Sequence, residues 1–352
     1  MAKVVIVSLR FNPAFIQFLI AYAKAVRALG HEPAFLLDPA YRRFTELEKT
    51  APVFGVQDGR RGQSWTHAII LNPSVYNREL AGSLKGAGTK ILYVFHEPWQ
   101  ISIDHLRTEG FGGTVRAFLA HRATVPVLKL ADTVILASRH GLDVYESADA
   151  RYNGNSAYIP LIMDDEAPAN VAEDLDSKQR FGFIGALCRS HGFDQYVALM
   201  REAFRRGGEF RFLIASRNLL PKAILKDPLL RGNQDRIEVR CGRPLNNEEM
   251  NRCYAECFCV WNLYRRSTQS AVLPKAFMFG VPVIASRIGA FPEYVEDGVN
   301  GRFAEAEDTA GILSSLAEMR GNLASYAVNC RRTFLSTFFY ESQLPAIARL
   351  IQ

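Results

Sequence analysis

"QSAVLPKAFMFGVPVIASRIGAFPEYVEDGVNGRF", residues 269–303, changes texture twice within a short span. "AVLPKAFMFG" reads as a short helix that stops at Gly280, because glycine takes the left-handed conformation after a last turn at little cost. Ser267, Thr268 and Ser270 ahead of it are capping residue types. Pro274 confines the helix start to its own neighbourhood or kinks the helix. "VPVIAS" is then a continuous apolar run, the pattern of a strand buried on both faces. A helix leading closely into such a strand is part of a parallel, crossover-connected sheet.

Working outward, the same alternation recurs. "RFGFIGA", "EFRFLIAS", "RIEVRCG" and "FCVWNLY" read as strands. "GFDQYVALMREAFRRGG" and "NNEEMNRCYAEC" read as helices, the second capped by Asn246 or Asn247. The first half repeats the scheme. "KVVIVSL" is a strand, and "AFIQFLIAYAKAVRALG" a helix with Asn12 and Pro13 at its start and Gly30 at its end. "EPAFLL", "HAIIL", "TKILYVF", "DTVILAS" and "SAYIPL" follow as strands. Residues 113–130 form a helix with Pro126 near its end. Between the halves, "MDDEAPANVAEDLDSKQ" (163–179) is acidic and aperiodic, which reads as a linker. The expectation is an α/β chain of two doubly wound parallel-sheet, Rossmann-like domains facing a cleft. They occupy 1–165 and 179–330, with a linker at 166–178 and an amphipathic helix in 331–352. A single larger α/β domain is the alternative.

Composition narrows the function. The net charge of +6 is spread evenly: residues 1–165 hold 18 Lys+Arg against 15 Asp+Glu, and the remainder 24 against 21. No half is a basic tail, so nucleic acid is not an expected partner. All six cysteines lie between Cys188 and Cys330 without a CxxC pair, so free thiols in a reducing cytoplasm are expected rather than zinc ligands. No apolar run is long enough to span a bilayer. Residues 105–130 interleave Arg107, Arg116, His121, Arg122 and Lys129 with Phe111, Phe118, Leu119 and Val125. Such a segment packs on a core, or docks peripherally on an anionic membrane.

The opening stretch resembles the large retaining GT-B glycosyltransferase group that includes sucrose synthase-like and lipopolysaccharide enzymes. Gly280, Pro282, Val283, Ala285, Ser286, Gly289, Pro292, Glu293, Val295, Asp297, Gly298 and Gly301 carry the resemblance. "FGFIGALCRSHGFDQYV" (181–197), "DTVILAS" and "YIPLIMDD" are weaker echoes. The resemblance implies a nucleotide-sugar donor in the second domain and a glycan or lipid-linked acceptor in the first. It also implies a C-terminal helix that returns to the first domain, no cofactor and no metal, and a role in cell-envelope polysaccharide synthesis. A cytoplasmic enzyme, peripheral at the inner face of the membrane, would suit that role.

The departures are as informative. The group's two glutamates, eight positions apart, are matched here by Ser267 and Lys275. Its arginine and lysine after the first nucleotide-domain strand are matched by Ala186 and His191, with Arg189 between them as a substitute. The first loop, "SLRFNPAF", has no glycine. Lys275 resembles the "P-K" element of related GT-B groups, which implies contact with the donor phosphates. His96 and Glu97, at the end of "TKILYVF", are the other catalytic candidates; Glu97 or Asp104 would act as base in an inverting enzyme. Arg189, Arg217, Arg243, Ser267, Ser270, Lys275 and Glu293 are the substrate-binding candidates. The rival readings are a non-catalytic GT-B protein that binds a nucleotide sugar or partners an active transferase, and an epimerase on the same plan.

Overall fold

The computed structural model describes residues 1–55, 64–96, 98, 103–147 and 155–352. Its strands form two sheets, parallel throughout. The first contains β1 (Lys3–Ser8), β2 (Glu32–Leu37), β3 (Val53–Phe54), β4 (His67–Ile70), β5 (Lys90–Phe95), β6 (Thr133–Leu136) and β7 (Asn155–Tyr158), in the order β3-β2-β1-β4-β5-β6-β7. The second contains β8 (Arg180–Ile184), β9 (Arg211–Ser216), β10 (Ile237–Cys241), β11 (Cys257–Asn262), β12 (Val283–Ala285) and β13 (Gly301–Phe303), in the order β10-β9-β8-β11-β12-β13. Each is a doubly wound sheet whose order reverses once, at β1/β4 and at β8/β11. Ligands of such sheets bind beyond the carboxyl ends of the strands at that reversal.

The strands are apolar because helices cover both faces. Val4, Val5, Ile6 and Val7 are fully buried, as are Cys257, Phe258, Cys259 and Val260. A bulge shifts the β8–β11 register between Cys257 and Cys259. Gly182 lies beside it: a Cβ there would meet the Cys257 sulfur at 2.5 Å, so any larger residue would have to displace that buried thiol.

The chain divides into two compact units, one of Met1–Asp164 with Thr337–Gln352, the other of Asp165–Ser336. The C-terminal segment joins the first unit by pairing Met163 with Phe339, and its last helix, Leu344–Ile351, packs on the helix Ile16–Ala28. Residues 331–336 stay with the second unit because Arg331 is clamped there. It donates to both carboxylate oxygens of Asp165 at 3.0 and 2.7 Å and to the Met278 carbonyl at 2.7 Å. The acidic stretch read as a linker is packed onto the second unit. Lys178 is 2% exposed and donates to the Phe279 carbonyl at 2.7 Å, and Val171 is buried. Burial pushes the Lys178 ammonium down to about 8. Among the described residues, no helix is long and apolar enough to cross a membrane.

Candidate active site

At the second reversal, the loop after β8 (185–192) meets the loop after β11 (263–271). Several bonds lock them together. The Trp261 indole donates to the His191 carbonyl at 2.9 Å, and the Arg265 amide to the Ser190 carbonyl at 2.8 Å. The Arg265 guanidinium donates to the Arg189 carbonyl at 2.8 Å and holds Asp194 through both oxygens, at 2.6 and 2.9 Å. Burial alone would raise the Asp194 carboxyl; the hydrogen bonds and charge of Arg265 outweigh it and hold it below the ordinary range. His191 stacks on Tyr264, with ring centroids 4.3 Å apart and planes at 9°. Burial pushes the Tyr264 phenol up to about 12.

Two glycines make this approach possible. Gly192 has φ 70°, and a Cβ there would lie 2.4 Å from the Leu263 carbonyl oxygen. Gly289, in the turn after β12, has φ 54°, and its Cβ would lie 2.0 Å from the Ser267 carbonyl oxygen. Both need the left-handed conformation and the missing side chain together. Other parts of the opening motif are scaffold. Asn300 is buried, accepts from the Glu296 amide at 2.8 Å and donates to the Tyr294 carbonyl at 2.9 Å. A Cβ on Gly301 would meet the Val283 carbonyl oxygen at 2.6 Å.

Lys275 lies on the helix Val272–Met278, with Pro274 in the first turn, where its missing N–H is not needed. Its ammonium, expected to face donor phosphates, is paired with Glu166 and lies 5.6 Å from the Phe279 ring centroid. The residue is 5% exposed. Glu166 also accepts from Asn247 at 2.6 Å and from Asn251 at 3.0 Å. Burial works to raise the Glu166 carboxyl; the charge and hydrogen bond of Lys275, with the two amides, outweigh it and hold it low. Sequence reading did not place Glu166 here, since its partner lies far along the chain.

The remaining candidates separate by exposure. Arg189 extends from the loop after β8 with its side chain 70% exposed, its Nε 3.9 Å from Asp194. Arg217 is exposed at the end of β9. Arg243 is engaged by Glu249, whose carboxyl its hydrogen bond draws down to about 2. Ser267 donates its hydroxyl to the Gln269 carbonyl at 2.8 Å. Ser270 accepts from the Val272 amide at 3.2 Å. Glu293 is half-buried on the short helix Phe291–Tyr294. Asn262 went unnoticed in the sequence. It ends β11 at the reversal, is fully buried, and its side-chain amide makes no hydrogen bond among the described residues.

In the first unit, the loop after β1 is held by side chains. Tyr41 bonds the Ser8 hydroxyl at 3.0 Å, accepts from the Asn12 amide at 3.1 Å and donates to the Asn12 carbonyl at 3.0 Å. Asn72 donates to Ser8 at 2.9 Å and to the Arg10 carbonyl at 2.7 Å. His96, just past β5, packs edge-on against Phe15 at 5.0 Å. Burial pushes its imidazole down to about 4, so it is neutral at pH 7. Glu97 lies outside the described residues. Asp104 is on the helix Ile103–Leu128, its side chain likewise outside them.

Residues 178–322 match the family model "Glycosyl transferases group 1". The match falls within the second unit, and the chain as a whole carries the GT-B fold. Anabaena HepE, solved with UDP, superposes with a TM-score of 0.71 at 16% identity, covering 100% of this chain and 99% of its own. Sucrose-phosphate synthase from Thermosynechococcus elongatus gives 0.73 at 13%, over 99% and 98%. A mutant of S. aureus TarM, solved with fondaparinux, α-GlcNAc-glycerol and UDP, gives 0.72 at 10%, over 100% of both chains. At these identities the likeness establishes the fold. Comparison of the sequence with curated proteins gives no match.

Proposed function

We propose that the protein transfers a sugar from a nucleoside-diphosphate donor to a glycan or lipid-linked acceptor in cell-envelope polysaccharide synthesis. The observation that carries this reading is the group 1 match over 178–322. Structural neighbours were solved with UDP, UDP-glucose, or UDP and GlcNAc, so uridine donors are the first to try. The donor occupies the carboxyl ends of β8 and β11, with the half-buried Glu293 offering a hydrogen bond to it. As the sugar leaves, charge develops on the diphosphate. Arg189, exposed on a loop that Arg265 and Asp194 immobilise, is placed to neutralise it without a metal.

Lys275 acts at one remove. Reaching a phosphate would require it to leave Glu166 and strand a carboxylate that is largely buried, which is costly. The pair instead ties the Asp165–Glu166 segment to the helix behind the 263–271 loop. A second reading, nucleotide-sugar binding without transfer, is favoured by one observation: neither Ser267 nor Lys275 supplies the carboxylate that the resemblance implies at those positions.

Thermal denaturation against UDP, GDP, TDP and their sugars tests the proposal. One nucleotide should raise the melting temperature, and Arg189→Ala should weaken its binding about tenfold. Glu166→Gln should lower affinity if Lys275 is a positioning residue; a gain in affinity would mean that the freed lysine binds phosphate. UDP released only when acceptor is present marks a transferase, and binding without release marks the second reading. No shift with any nucleotide overturns both.

A further inference from the structure

The helix Ile103–Leu128 presents its apolar side the wrong way round for a helix that merely covers a sheet. Gly110, at φ 69° and ψ 179°, interrupts it, so the run from Phe111 forms a helix of its own. The far end of that run is buried in the first unit, with Thr124, Val127 and Leu128 almost fully shielded. The near end is not. Phe111 is 78% exposed, Val115 41%, Phe118 48% and Leu119 59%. Their spacing of four, three and one puts all four within about 100° of arc on one face. Phe111 and Phe118 are the exposed phenylalanines among the described residues.

The charge on this stretch has one sign. Residues 110–131 contain Arg116, Arg122 and Lys129 and no acidic residue. All three are exposed, and the Arg122 guanidinium lies 5.8 Å from the Phe118 ring centroid. An apolar strip flanked by long cationic side chains suits an interface where hydrocarbon meets phosphate. A second copy suits it poorly. A two-fold pairing would set the same three positive charges against themselves.

We propose that the helical run Phe111–Arg122 is a docking face for an anionic lipid bilayer. Phe111, Phe118 and Leu119 enter the boundary of the acyl chains, while Arg116, Arg122 and Lys129 meet the lipid phosphates. The proposal stands on this geometry alone and is independent of whether the second domain transfers sugar.

Co-sedimentation of the full-length protein with vesicles tests it. The protein should pellet with phosphatidylglycerol-containing vesicles at low salt, and much less with phosphatidylcholine alone or at high salt. Arg116→Glu with Arg122→Glu should weaken binding about tenfold or more. Phe111→Ser with Phe118→Ser and Leu119→Ser should abolish it at every salt concentration. Because these residues face solvent, the variants should keep the wild-type circular dichroism and nucleotide-induced thermal shift. Arg205→Glu with Arg206→Glu, in the second unit, should pellet like the wild type. Failure of the wild type to pellet with anionic vesicles would overturn the proposal. So would equal binding to both vesicle types, or a lipid-free dimer that the triple serine variant dissolves.

Discussion

The loop leaving β1 contains no glycine, whereas the loop leaving β8 begins at Gly185 and ends at Gly192. Both leave equivalent strands at the reversal of a doubly wound sheet. The first is held by side chains: Tyr41, Ser8 and Asn72 bond its backbone, and Asn12 caps the short turn that follows. The second adds close backbone approach to its side-chain bonds: Gly192 lies against Leu263, and Gly289 brings the turn after β12 against Ser267 in the loop it meets. The two solutions fail differently. A side-chain lock loses one bond at a time; a backbone lock tolerates no added atom.

Gly289→Ala should therefore have the largest effect. It places a methyl group against a carbonyl oxygen in a left-handed conformation, at a cost of roughly 3–5 kcal/mol. Chemical denaturation should show the loss in the second unit, and nucleotide binding should go with it. An alanine variant of wild-type stability would mean that the 263–271 loop yields, and the contrast would break.

The next effect lies in the first unit. The His96 imidazole sits near 4 when folded, against an ordinary value of 6.5. The unfolded chain thus binds the extra proton first as pH falls. Stability should be complete above about pH 6.5 and decline toward pH 4, by up to about 3 kcal/mol. His96→Gln should flatten that slope. An unchanged slope would assign the acid sensitivity to other groups.

Tyr41→Phe should be milder, about 1–2 kcal/mol, because it deletes the hydroxyl bonds but leaves Asn72 bridging Ser8 and the Arg10 carbonyl. Its nucleotide-induced shift should match the wild type. A lost shift would mean that this loop supports the donor site as well.

The long strands were readable because strands buried on both faces become apolar runs, as in "KVVIVSL" and "FCVWNLY". β3 and β13, of two and three residues, are too short to show a period. The expected helix at 113–130 instead starts at Ile103 and breaks at Gly110. Gly289 stands out in the sequence only as part of the family-like pattern, and its approach to the Ser267 carbonyl supplies a physical reason for it. The side-chain lock could not be read: Tyr41 and Asn72 meet Ser8 from 33 and 64 residues away, with no local signal. The same holds for Glu166 and Lys275, 109 residues apart.

The six cysteines, all free, lie within the second unit. Cys253, Cys257, Cys259 and Cys330 are buried, and burial pushes the half-buried Cys241 thiol up to about 11. The folded protein should consequently react sluggishly with alkylating reagents, Cys188 and Cys241 before the rest. The chain thus carries its own chemical clock. Thiol labelling times the opening of one unit while remaining blind to the other, with no engineered probe in either.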